Sequence, residues 1–240
     1  MRIILALAAL VALAGCGGDE ANNSAITNAS PVAAASPPAG KAWVDVVEKT
    51  GEGWYRQGNP NAPIKLVEYG SRSCPTCGRF AAEGVEPMRA KYIATGQVSY
   101  EFRDFPVHTQ DVGLSMMGRC TSAEAFFPIL DQMYANQQVL NDPQKAELVN
   151  ATASGQSGLE AATTWGYGLG VADFLKQRGI GDAQIRQCLT QAALETFSKQ
   201  VEEGQAKGVD GTPSFFINDV KVEATGWGQL EPALRAAGAR

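Results

Sequence analysis

The feature that most constrains this chain is a strand that runs straight into two cysteines opening a helix. Ile64-Lys65-Leu66-Val67-Glu68-Tyr69-Gly70 has a strong apolar centre and reads as a strand. Ser71-Arg72-Ser73 follows as a short turn, then Cys74-Pro75-Thr76-Cys77, then helix-compatible residues from Gly78 to Glu83. Strand, turn, C-x-x-C and helix in that order form the redox context of this motif. The first thiol falls at a helix N-terminus, where free N–H groups and the macrodipole favour a thiolate. Cys77 lies one turn further in, close enough to attack a mixed disulfide on Cys74. Pro75 fits because an early helical position needs no N–H donor. A C-x-x-C can also be half of a zinc site, but no second C-x-x-C or suitably spaced Cys/His pair is present. No metal and no cofactor is expected.

The other cysteines are Cys16, Cys120 and Cys188. If Cys16 is modified, four remain, and three pairings are formally possible. The close spacing of Cys74 and Cys77 favours pairing them together, leaving Cys120 with Cys188 as a structural link. That link would close a loop of about 69 residues, for which chain-entropy bookkeeping assigns about 4 kcal/mol. Buried free thiols at Cys120 and Cys188 are the alternative.

A second informative segment lies far downstream. Gly208-Val209-Asp210-Gly211-Thr212-Pro213 leads into Ser214-Phe215-Phe216-Ile217, the turn-like Asn218-Asp219 and a further strand, Val220-Lys221-Val222. This is a hairpin signal, and a proline is tolerated at the first position of a strand.

Taken together these segments resemble the thioredoxin superfamily, and within it the DsbA-like bacterial disulfide oxidoreductases. The resemblance runs from about Gly58 to Gly238. It rests on Asn59-Pro60-Asn61-Ala62-Pro63, on Glu68-Tyr69 with the C-x-x-C, on Phe102-Arg103-Asp104-Phe105-Pro106, and on Gly211-Thr212-Pro213-Ser214-Phe215. It implies an α/β thioredoxin-like fold, a central mixed β-sheet flanked by helices with a helical insertion. It also implies that Pro213 is cis beside the C-x-x-C and that the Thr212 backbone pairs with an extended client peptide. Glu68 would be the buried carboxylate assisting proton transfer near Cys77. A second disulfide occurs in some relatives, which supports Cys120–Cys188 as a staple of the insertion. One departure is Thr76, where the most oxidising relatives carry histidine. A hydroxyl brings no positive charge, so Cys74 is expected to be acidic but less so than theirs. Arg72 is expected to be solvated near the site.

The N-terminus reads as a targeting segment. Arg2 precedes an apolar run from Ile3 to Ala14, about 18 Å as a helix and too short for a bilayer core of roughly 30 Å. Residues 1–15 are therefore expected to be a signal peptide. Leu13-Ala14-Gly15-Cys16 resembles the bacterial lipobox, making Cys16 a lipidation site. Residues 16–40, rich in Gly, Ala, Ser, Asn and Pro, read as a flexible tether, and residues 41–240 as the domain. Gly17 in place of Asp tips the expected anchorage toward the outer membrane, facing the periplasm.

Between the two halves, about Val112 to Gln187 is helix-rich, and the insertion is placed at about 112–189. Helices are expected at Cys120–Ala125 and Ile129–Gln138, separated by Pro128, and at Pro143–Ala151, Leu159–Trp165, Ala172–Arg178 and Asp182–Leu189, the last capped by Asp182. Gly166 to Gly170 reads as a loop, since no strand precedes it as a dinucleotide site needs. A long helix over Gln191–Lys207 returns the chain to the core, and Gln229–Ala237 closes it. His108 is the only histidine, which excludes mechanisms needing two imidazoles, and it reads as a plain loop residue. The formal charge of −5, with no basic cluster, argues against nucleic acid as a partner.

The expected activity is that of a dithiol oxidase introducing disulfides into exported proteins with free thiols, recycled by a membrane redox partner. The alternatives are an isomerase or reductase on the same fold, or a non-catalytic client-binding module.

Overall fold

The computed structural model describes residues 29–240. The expected signal peptide and Cys16 lie outside the described residues. A six-stranded mixed sheet forms the centre, in the order β1-β2-β4-β3-β5-β6. The strands are β1 (Val47–Lys49), β2 (Tyr55–Gly58), β3 (Ile64–Gly70), β4 (Val98–Asp104), β5 (Ser214–Ile217) and β6 (Val220–Val222). Only β3 and β4 are parallel, joined through α1 (Pro75–Met88) and a π-turn at Arg89–Ile93. The other neighbours are antiparallel.

β3 is central because both of its faces are apolar. Ile64 and Leu66 point into the main core with Phe80, Met88, Phe102, Phe126, Phe215 and Leu230. Tyr69 and Val67 point the other way, onto Phe105, Val209, Phe216 and Val201. A strand covered on both faces carries few polar residues. Lys65 is exposed, and Glu68, on the first face, is the one charged side chain of β3 that is buried. The β5–β6 hairpin turns on Asn218 and Asp219 at φ 50° and 66°, the left-handed pair a two-residue turn requires. Asn218 Oδ1 accepts from Lys65 N at 2.8 Å, tying that turn to β3.

The insertion is helical, as expected, and has its own core. It comprises α2 (Asp111–Gly118), α3 (Ala123–Ala135), α4 (Gln137–Leu140), α5 (Pro143–Ala153), α6 (Gly158–Gly168), α7 (Val171–Lys176) and α8 (Asp182–Cys188). Leu114, Met117, Met133, Trp165, Val171 and Leu175 pack inside it. α9 (Gln191–Ala206) returns to the sheet and α10 (Trp227–Ala236) closes the main core. Cys120 and Cys188 are joined, with an S–S distance of 2.10 Å, linking the loop after α2 to the end of α8.

Several local expectations differ from the structure. Pro128 does not divide a helix, because α3 runs through it. Pro128 and Glu124 are exposed, so the carbonyl that loses its partner meets water while Phe126, Phe127, Ile129 and Leu130 hold the buried face. α3 begins only at Ala123, where Ser122 Oγ accepts from Ala125 N. Asp182 is the first residue of α8 rather than its cap, which is Gly181. Its carboxylate meets Arg186 and Lys176 instead. Gly166 and Gly168 lie within α6, not in a loop. A Cβ at Gly166 would stand 2.5 Å from Met117, and one at Gly168 2.5 Å from Val149. Close helix packing, not a turn, demands those glycines.

The tether expected to reach Gly40 is not free over its last part. Ala29 and Val32 N–H donate to the carbonyls of Ala236 and Gly238, and Ala35 N–H to Thr95 O. Trp43 Nε1 and Gln97 Nε2 donate to Ala35 O and Val32 O. Small residues with exposed side chains can dock through their backbone, which composition does not reveal.

Replacing Cys120 and Cys188 together by alanine should lower the unfolding free energy by about 4 kcal/mol, since the link closes a span of 68 residues. Urea denaturation of the oxidised protein and the double variant measures this. A loss under about 1 kcal/mol would show that the unfolded chain is not constrained by the link.

Candidate active site

The site is built on a loop held from all sides. β3 leaves the sheet at Gly70, where a Cβ would lie 2.5 Å from the Phe102 ring and 3.0 Å from Glu68 Oε1. Ser71 Oγ then accepts from the backbone N–H of Ser73 at 3.2 Å and of Cys74 at 3.0 Å, and donates to Asp111 Oδ2 at 2.8 Å. Asp111 is fully buried, and its carboxylate also accepts from the N–H groups of Ser73, Val107 and His108. From α4, Gln137 Nε2 donates to the carbonyls of Arg72 and Cys74. Tyr134 of α3 donates its O–H to Ser71 O.

Arg72 is not solvated. Its side chain is wholly buried and pairs with Asp104, at the end of β4, at 2.6 Å. The guanidinium lies over the rings of Phe102 and Phe126. Gly118 leaves it room, since a Cβ there would be 2.3 Å from Nη1. Sequence reasoning missed this pair. The available signal was Asp104, an acid at the end of an otherwise apolar strand.

Cys74 stands in the N-cap position of α1, with Pro75 in the first turn. Cys74 and Cys77 are both free thiols, and Cys77 is fully buried. The S–H of Cys77 is the main influence holding the Cys74 pKa down, at about 5. Burial opposes it, and the Thr212 side chain with the N–H groups of Cys77 and Thr76 assists. Cys77 is pushed the other way, by burial first, then by giving its hydrogen bond to Cys74 and by the charge of Glu68. The two thiols therefore have opposite protonation near neutral pH, one a thiolate and the other its hydrogen-bond donor.

Thr212 and Pro213 sit directly against this pair, joined by a cis peptide bond. Thr212 O is 3.3 Å from Cys74 Sγ. Beside them opens a cleft of about 420 Å³ lined by Asp210, Thr212, Pro213, Lys221, Val222 and Gln229. Glu68 lies in the central strand and is 1 % exposed. Burial raises its pKa to about 8; the O–H of Tyr100, 2.6 Å from Oε2, pulls it down, and the charges of Cys74 and Asp131 push it up. His108 is more than a plain loop residue, because its Nδ1 is 2.7 Å from Ser73 Oγ, one residue before Cys74. The structure brings Glu68, Cys74, Cys77, Thr212 and Pro213 together, while Cys120–Cys188 stands apart in the insertion. No group of three or more metal-ligating side chains occurs among the described residues.

A mixed sheet with a dithiol at the N-terminus of the helix that follows its central strand defines a thioredoxin-type domain. Comparison with known proteins agrees. A family model described as thioredoxin matches residues 49–236, and the chain belongs to that family. A Rickettsia bellii protein provisionally named a protein-disulfide oxidoreductase is 25% identical over 182 residues, covering 75% of this chain and 62% of the relative. The chain thus spans less than two thirds of that protein. Among solved structures, a protein-disulfide isomerase from Novosphingobium aromaticivorans superposes with a TM-score of 0.70 at 23% identity, over 75% of this chain and 95% of that one. Wolbachia pipientis alpha-DsbA1 does so at 0.57 and 20%, over 76% and 90%. At these identities the two structures speak to the fold.

Two predictions follow from the electrostatics. Thiolate absorbance at 240 nm in the reduced protein should titrate with a midpoint near 5 and vanish in Cys74→Ala. A midpoint above 8 would mean the Cys77 hydrogen bond is not made in solution. The second concerns stability. The raised Glu68 carboxyl stabilises the fold fully below about 4.5 and loses that contribution as pH rises through about 8. The depressed Cys74 contributes fully above about 9 and loses its contribution as pH falls through about 5. Between 5 and 8 they oppose each other. Reduced Glu68→Gln should therefore gain stability with rising pH more steeply than the parent in urea melts, and parallel curves would refute the assignment.

Proposed function

We propose that this protein is a thiol-disulfide oxidoreductase of the cell envelope, acting as a dithiol oxidase on exported proteins. The observation that carries this reading is the division of protonation within the pair, a Cys74 held near pKa 5 beside a Cys77 held well above the usual thiol value. A low pKa makes Cys74 a good leaving group and stabilises the reduced form, which makes the Cys74–Cys77 disulfide oxidising.

In the oxidised enzyme, a client thiolate attacks Cys74 Sγ. A client–Cys74 bond forms, the Cys74–Cys77 bond breaks, and Cys77 leaves as a thiolate that takes a proton from the Glu68 carboxyl. The client's second thiolate then attacks its own sulfur in the mixed disulfide and expels Cys74 as a thiolate. The client loses two electrons and the enzyme gains them. In this reading the Thr212 backbone, beside Pro213 and the cleft, pairs with an extended client segment; the contact of Thr212 O with Cys74 Sγ supports it.

Reoxidation needs a membrane redox partner, and lipidation at Cys16 would hold the enzyme near it. No helix among the described residues is long and apolar enough to cross a membrane. The outer membrane, with the domain facing the periplasm, is the favoured placement from Gly17.

The test is the redox equilibrium of Cys74–Cys77 with glutathione, read with turnover of a reduced client protein. A potential of about −120 to −180 mV with net formation of client disulfides supports the oxidase. The same potential with reshuffling of scrambled disulfides only would indicate the isomerase. A value near about −270 mV would indicate a reductase. A dithiol that does not exchange at all would leave a client-binding module.

A further inference from the structure

Tyr100 and Glu68 form a pair of buried polar side chains on the face of the sheet covered by α1. Tyr100 lies on β4 opposite Leu66, and Glu68 lies opposite Phe102. The two are thus diagonal neighbours across parallel strands, within reach of a long side chain. The Tyr100 O–H donates to Glu68 Oε2 at 2.6 Å. Both residues are 2 % exposed or less. Glu68 Oε1 has no hydrogen-bond partner among the described residues. An orphaned carboxyl oxygen in a core is costly and calls for an explanation.

With the phenol donating to Oε2, the transferable proton falls to the other oxygen, Oε1. A cation in the position of Tyr100 would hold the carboxylate ionised, whereas a neutral donor supports it without forcing the charge. The other ionisable groups acting on the pair come from three elements. Cys74 and Cys77 stand at the start of α1, Asp131 and Tyr134 on α3, and Arg89 after α1. Arg89 is engaged by Asp131 at 2.5 Å. Neither it nor Arg72, which is paired with Asp104, hydrogen-bonds to Glu68.

We infer that Tyr100 is a positioning residue for the proton step at Cys77: it anchors Glu68 through Oε2 and keeps Oε1 as the oxygen that gives and takes the proton. This rests on the proposed redox function, in which Glu68 serves Cys77. In client oxidation, the Cys77 thiolate and the Glu68 carboxyl become the Cys77 thiol and the Glu68 carboxylate. When Cys77 attacks a mixed disulfide on Cys74, the same proton travels back.

The experiment compares the parent, Tyr100→Phe, Glu68→Gln and the double variant in the full chain. The ionisation of Glu68 is read from its carboxyl carbon by NMR in the reduced protein. The attack of Cys77 on a Cys74 mixed disulfide with 5-thio-2-nitrobenzoate is followed by release of the coloured thiolate across pH. Tyr100→Phe should make Glu68 about tenfold weaker as an acid, since a hydrogen bond to a charged group is lost. It should shift the pH profile of release the same way. Glu68→Gln should remove that profile, and adding Tyr100→Phe to it should change nothing further. Should Tyr100→Phe fold poorly, 3-fluorotyrosine at position 100 keeps the shape and strengthens the donor, and it should make Glu68 the stronger acid.

An unchanged Glu68 ionisation with only a lowered Tm would overturn the inference and leave Tyr100 a packing residue. An equal effect of Tyr100→Phe with and without Glu68 would do so as well. If Glu68→Gln left the release profile as in the parent, the proton role of Glu68 itself would fail, and the NMR shifts would still decide whether Tyr100 controls Glu68.

Discussion

The ion pair of Arg72 and Asp104 joins what would otherwise be separate bodies. Arg72 belongs to the loop before the dithiol, Asp104 ends β4, and Phe126, Met133 and Gly118 around them belong to the insertion. Such a pair adds little net stability, because desolvation consumes much of the attraction. What it imposes is geometry. Removing Asp104 leaves the Arg72 charge bare in the core, at a cost of about 3–5 kcal/mol, whereas Asp104 without Arg72 would keep only Arg119, 4.0 Å away. The loop therefore has few alternative positions, and Ser71, Asp111 and Gln137 add the directional hydrogen bonds that orient Cys74.

On that frame the dithiol is electrostatically asymmetric. Cys74 faces N–H groups at the start of α1 and a thiol donor one turn away, so its charge is satisfied. Cys77 faces apolar side chains and Glu68, so its charge is not. The asymmetry comes from depth along a single helical turn, not from any nearby cation. This is how Thr76 can stand between the cysteines while Cys74 stays acidic. The same depth keeps Glu68 protonated near neutrality, beside the thiol that alternates between bonded and free states in the proposed cycle.

The strand before the C-x-x-C, the helix it opens and the hairpin after Pro213 were legible because each is encoded by neighbours in sequence. Apolar runs, turn residues and the proline of a first turn act over a few residues. Errors arose where packing overrides such rules. Pro128 sits inside α3 because the Glu124 carbonyl that it leaves unpaired lies on the exposed face, and Gly166 and Gly168 are helical because Met117 and Val149 crowd them. The docking of residues 29–35 depends on backbone groups, to which side-chain composition is blind.

By itself the sequence determined the strand, the dithiol opening a helix and the helix-rich stretch after them, which follow from local periodicity and short motifs, while the thioredoxin-type fold with its insertion was implied by the family resemblance those motifs carry. Only the tertiary structure decided that Arg72 is buried against Asp104, that Asp111 gathers the active-site loop, that His108 meets Ser73, and that Tyr100 holds Glu68. Each of these contacts joins residues 32 to 40 positions apart. A charged or polar side chain reads the same in sequence whether it meets water or a buried partner, and only the folded chain determines which.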